Sequence, residues 1–184
     1  TSFNCLQSTA AIFNLGATPV WIDVEPETMS MSIDNLKSKI DTNIKAVVLY
    51  HVAGYPSNAE KISDICKSKK IPLIEDCNNA LGAKLNGKNV GSFGDYSVYS
   101  FYPNRQINGI DGGMLFTPNK EKAERALRLR RYGINPKNFR DKKGEINPKS
   151  GIDEVGWSAS LNNLHAALAL TQFPSFSVRK KKTC

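Results

Sequence analysis

One short run constrains this chain more than any other: Ala46-Val47-Val48-Leu49-Tyr50, which is apolar on both faces. A strand without a polar face cannot meet water on either side, so it belongs inside a sheet covered above and below. Helical and strand patterns alternate around it. They predict helices over about 5–15 (closed by Gly16), 33–40, 56–68 (opened by Pro56-Ser57-Asn58) and 120–131. Further strands are predicted at Pro72-Leu73-Ile74, ending on Glu75-Asp76, and at 96–101 and 114–116. Val20–Val24 is a shorter apolar run. A last helix carries Leu161, Leu164 and Leu168 on one stripe and breaks at Phe173-Pro174. The class implied is α/β, with three layers (α/β/α) around a mostly parallel, mixed sheet.

Composition removes several functions. No run approaches the ~18 apolar residues of a membrane helix, and Thr1-Ser2-Phe3-Asn4-Cys5 lacks the basic start of a signal peptide, so a cytoplasmic protein is expected. Cys5, Cys66, Cys77 and Cys184 are scattered, which argues against a disulfide framework or a zinc ribbon. The net charge of +8 invites a nucleic-acid reading, but four of those charges are Arg179 and Lys180–Lys182. Others lie on a loop (137–149) or a helix face (Arg125, Arg128, Arg130, Arg131), without interleaved aromatics. Neither nucleic acid nor a membrane is expected as a partner. The opening in mid-element and the basic tail at 173–184, expected to be disordered or aberrant, read as those of a fragment.

In open α/β sheets, ligands bind beyond the carboxyl ends of the strands. Three polar clusters fall there: His51–Pro56, Glu75–Asn79 and Ser100–Asp111. Together they bring a carboxylate, amides, a hydroxyl and a guanidinium to one edge, suited to an anionic or heteroaromatic ligand. Fold class alone does not name the chemistry.

An ordered set of motifs adds to this. It comprises Gly16–Val24, His51 with Gly54 and Pro56, Ile74-Glu75-Asp76-Cys77-Asn78-Asn79-Ala80 and Gly82-Ala83. It continues with Gly91–Asp95, Ser100-Phe101-Tyr102-Pro103, Asp111-Gly112-Gly113 and Gly156 through Asn162 to Ala166-Ala167. In order and spacing, the set resembles the DegT/DnrJ/StrS-type sugar aminotransferases, which are fold-type I pyridoxal phosphate (PLP) enzymes. The resemblance implies that residues 1–172 are part of the large domain of such a transferase. It also implies transfer of an amino group from glutamate to a nucleotide-linked keto-sugar for polysaccharide or antibiotic sugars, by a homodimer in its full-length form.

By resemblance, Asp76 is the acid against the pyridine nitrogen, Ser100 binds the cofactor phosphate, and Asn79 stands where the family carries a glutamine near the phenolic oxygen. Asn79 is one methylene shorter. His51 and Asn104 fall in substrate or site loops, and a structural hydrogen-bonding role for His51 is equally open. The nucleophile departs most: the family's cofactor-bonding lysine is replaced by Arg105, and no lysine lies between Lys88 and Lys120. A guanidinium stays protonated and offers no lone pair for an imine, so PLP is expected without a covalent link. Near the end, Ser158 and Ser160 replace the Asn and Arg that the family often carries. Three readings stay open: an altered aminotransferase, a PLP-dependent sugar dehydratase, and a non-catalytic degenerate homologue.

Overall fold

A computed structural model describes residues 1–183; it gives only backbone for 180–183, so the side chains of Lys180–Lys182, and all of Cys184, lie outside it. The elements in chain order are α1 (Leu6–Asn14), α2 (Ile33–Lys39), β1 (Val47–Tyr50), a 3-10 turn (Val52–Gly54), α3 (Ala59–Ser68) and β2 (Leu73–Asp76). There follow β3 (Lys84–Leu85), β4 (Lys88–Asn89), β5 (Tyr96–Ser100), β6 (Gly113–Phe116), α4 (Lys120–Leu129) and α5 (Asn163–Thr183).

The main sheet has the order β1-β2-β5-β6. β1, β2 and β5 are parallel, with Tyr50 opposite Asp76 and Asp76 opposite Val98. β6 runs antiparallel to β5. A mixed, mostly parallel sheet is therefore observed. Its main core joins Leu49, Val47 and Leu73 to Leu36 of α2, Ile62 and Cys66 of α3, and Ile22 and Met31. Helix α3 reaches that core because Ala59, Ile62 and Cys66 recur at helical spacing on one face.

The structure departs from the sequence expectations in four places. Residues 20–24 form no strand; Val24 makes only a single bridge to Met31. Helix α5 does not stop at Phe173 but crosses Pro174 to Thr183, although proline gives up one helical hydrogen bond. Of the expected stripe, Leu161 packs near Phe101 and Ile107, whereas Leu164 is exposed and Ala169 is the buried contact. The β3–β4 hairpin was not expected. Its turn is Asn86-Gly87, both at positive φ (49° and 80°), as a two-residue hairpin loop demands.

Candidate functional site at the carboxyl edge of the sheet

Alternation along β2 sends successive side chains to opposite faces, so the neighbours Glu75 and Asp76 serve different places. Both are buried. Asp76 faces helix α1: its Oδ2 accepts from Ser8 Oγ at 2.7 Å and Asn4 Nδ2 at 3.5 Å, and its Oδ1 accepts from the backbone N–H of Asn78 at 3.2 Å. A carboxylate offers about four lone-pair sites, so capacity for a further donor remains. Ser8 and Asn4 carry no distinctive sequence signal; only the packing of α1 against the end of β2 identifies them.

Glu75 faces the other way. Its Oε1 accepts from the backbone N–H groups of Phe93 (2.7 Å) and Gly94 (2.6 Å), and its Oε2 from Gly91 (2.8 Å). His51 Nε2 lies 3.1 Å from Oε2, while His51 Nδ1 accepts the Ser57 N–H at 3.2 Å. The ring proton therefore sits on Nε2 and is donated to Glu75. Burial pushes the Glu75 carboxyl upward, but His51 and the Gly91 and Gly94 amides outweigh it and hold the group below its ordinary value. Both ring nitrogens of His51 are thus spent on the core. Gly91 holds φ at +92°, and a Cβ on Gly94 would stand 2.7 Å from the Leu73 carbonyl oxygen. Those two glycines let the backbone wrap the carboxylate this closely. The Gly-Ser-Phe-Gly segment was visible in the sequence; its service to Glu75 was not.

Beyond the ends of β1 and β2, several loop residues meet at Asn79. Asn79 Nδ2 donates to the Tyr50 hydroxyl at 2.9 Å, and Arg105 Nη1 donates to Asn79 Oδ1 at 2.5 Å. Gln106 Nε2 donates to the Asn79 carbonyl, and Gly54 backs onto that same oxygen, where a Cβ would come within 2.6 Å. Two of the residues that depart from the resembled family, Asn79 and Arg105, therefore touch each other. Tyr50 joins them, with no sequence signal beyond its place at the end of β1.

Ser100 closes β5 and its Oγ accepts the Tyr102 N–H at 3.2 Å, leaving its own proton free to donate. The loop then turns again, with Arg105 N–H bonded to the Tyr102 carbonyl at 3.0 Å, which brings Arg105 back toward the sheet. Asn104 is exposed beside it. Arg105 is half-buried and its Nε has no hydrogen-bond partner among the described residues.

The donor set fits a phosphorylated heteroaromatic. A buried acid, a free hydroxyl proton and a fixed cation with an orphaned N–H stand at one edge. The loop from Phe101 to Gly109 carries no lysine amine. The buried cysteines do not supply a nucleophile either: burial and then Asp95 push the Cys66 thiol up to about 11, and burial pushes Cys77 up as well. His51, Glu75 and Cys77 lie within 4.8 Å of one another, but the hydrogen bonds above occupy His51 and Glu75, so they form a structural cluster. No helix among the described residues is long and apolar enough to cross a membrane.

Comparison with known proteins agrees with this architecture. The chain is 34% identical over 167 residues to GDP-perosamine synthase of Escherichia coli O157:H7, covering 91% of this chain and 43% of that protein. It is 32% identical to GDP-perosamine synthase of Vibrio cholerae, covering 93% of this chain and 44% of that one. The chain thus spans less than half the length of these curated relatives. The solved structure of AtS13 from Actinomadura melliaura superposes with a TM-score of 0.88 at 29% identity, over 96% of this chain and 48% of that one. The model of the DegT/DnrJ/EryC1/StrS aminotransferase family matches residues 1–183, and the chain belongs to that family.

Proposed function

We propose that the chain is part of the large domain of a nucleotide-sugar aminotransferase-like protein that binds PLP without a covalent link. Glutamate and a nucleotide-linked keto-sugar are its partners, and the full-length protein works as a homodimer. The observation that carries this reading is the convergence of Asp76, Asn79, Ser100 and Arg105 at the carboxyl edge of β1, β2 and β5 in a chain of this family. When bound, PLP supplies an electron sink for the bonds broken and made at the amino carbon.

The chain's own residues divide the remaining work. Asp76, held by Ser8 and Asn4, places a carboxylate at the buried end of the site to meet a protonated ring nitrogen. Ser100 Oγ donates to a phosphate oxygen. Tyr50 and Asn79 fix the wall from which Arg105 projects. Arg105 cannot accept or shuttle a proton at neutral pH, so proton movement at the substrate falls to another group.

Arg105 also favours a second reading, a homologue that retains the site but no longer transfers amino groups. Incubating the full-length protein with PLP, glutamate and nucleotide-linked keto-sugars separates the two. Formation of 2-oxoglutarate and an amino-sugar supports the first reading. PLP binding that is lost on Asp76→Ala, without product, supports the second.

A further inference from the structure

Arg105 presents three facts that folding alone does not account for. Its Nε is buried without a hydrogen-bond partner. No carboxylate among the described residues lies within ion-pair distance of its guanidinium, so its charge is uncompensated there. Yet the side chain is held: Nη1 is bonded to Asn79 Oδ1, and Asn79 is itself fixed by Tyr50. A buried N–H without an acceptor is costly, and arginine cannot escape by deprotonating. Native structures keep such groups where a ligand or ion pairs with them.

We propose that Asn79 and Arg105 form one oxyanion-binding unit, in which Asn79 clamps Nη1 so that the opposite edge of the guanidinium, Nε–H with Nη2–H, receives a phosphate or carboxylate. The proposal rests on the reading of this sheet edge as the ligand site. Covalent geometry supports it, because Nε and Nη2 form the edge that takes two oxygens in parallel. A small rotation of the clamped fork exchanges the orphaned Nε–H for a paired one. Arg105 is then an anchor for negative charge and does not stand in for an amine. Asn79 is a positioning residue that acts through Arg105, and its shorter side chain is the one that receives Nη1.

The test is calorimetric titration of the full-length protein with inorganic phosphate and, separately, with glutarate. Arg105→Gln weakens binding of at least one of them about tenfold or more, the loss of a charge-assisted pair. Arg105→Lys restores only part of the loss, because it returns the charge without the fork. Asn79→Ala weakens binding several-fold in the wild-type background and has no effect in the Arg105→Gln background, as a coupled pair requires. A response to phosphate alone identifies the cofactor-type oxyanion; a response to glutarate alone identifies a substrate carboxylate. Unchanged affinity for both anions in Arg105→Gln, or equal effects of Asn79→Ala in the two backgrounds, overturns the proposal. Arg105-dependent anion binding in a protein that makes no amino-sugar would defeat the aminotransferase reading and leave this one standing. Amino transfer with unchanged anion affinity would do the reverse.

Discussion

A guanidinium at position 105 changes what this site can do more than any neighbouring residue does. It brings permanent charge and a planar fork, and it removes the only amine expected on the loop between Lys88 and Lys120. Borohydride reduction of the protein with PLP is therefore expected to leave the peptide of residues 89–119 unmodified, as read by mass spectrometry; a pyridoxyl group on it would contradict this. The cysteines offer a second check. Cys66 and Cys77 are buried thiols with raised pKa values, whereas Cys5 is exposed. Brief alkylation of the native protein at neutral pH should label Cys5 and spare Cys66 and Cys77 until denaturant is added. Equal labelling of Cys5, Cys66 and Cys77 would mean that the core around β2 and α3 is open.

The strand β2 and the loop that follows β4 form one mechanical unit, joined by the Glu75 carboxylate. Glu75→Gln keeps the shape but turns an amide donor toward one or more of the N–H groups it should accept from, so a loss of about 2–4 kcal/mol is expected in denaturant titration. The native carboxyl is held below its ordinary value. Its contribution is thus complete above the unfolded-state carboxylate pKa and disappears as pH falls through the lowered folded value. Wild-type stability should fall on acidification over that window, and Glu75→Gln should flatten the fall. Gly94→Ala would press a methyl against the Leu73 carbonyl and is expected to cost about 1–3 kcal/mol. The element boundaries explain which of these features a sequence can reveal. The strand at 47–50 was legible because it is an unbroken apolar run, 73–76 because Leu73-Ile74 follows Pro72, and 96–100 because it is rich in aromatic and β-branched residues; Asp76 was legible because it ends a strand. Glu75 was legible only as a polar strand end, because its role depends on backbone N–H groups from 16 to 19 residues away. Ser8, Asn4 and Tyr50 meet the site through tertiary packing, which no local spacing encodes. The apolar run at 20–24 forms no strand, because an apolar run becomes a strand only when a neighbour accepts its hydrogen bonds. The Asn86-Gly87 hairpin, by contrast, carried a clear turn signal that the helix–strand alternation overshadowed.

At the scale of the whole molecule, an apolar groove of about 600 Å³ runs between α1, the extended 17–22 segment and β1, lined by Ile12, Val20, Ile22, Val47 and Val48. Met114, Leu115 and Phe116 of β6 are also exposed, as are Val155, Trp157 and Leu164. Exposed apolar surface of this kind promotes association. The 184-residue chain expressed by itself is expected to bind a hydrophobic dye and to self-associate, as read by fluorescence and sedimentation; a monodisperse, dye-silent monomer would contradict this. The alternation along β2 also separates two sets of contacts. Glu75 and His51 secure the scaffold from one face of the sheet, while Asp76 on the other face bonds Ser8, and Arg105 on the following loop bonds Asn79. In the function proposed above, fold integrity and ligand binding are therefore written on alternate residues of one strand. A scaffold arranged this way behaves as a chassis: the stretch 102–106 can be varied to retarget the site, while Phe101 and Ile107 on either side of it stay packed against Ala169.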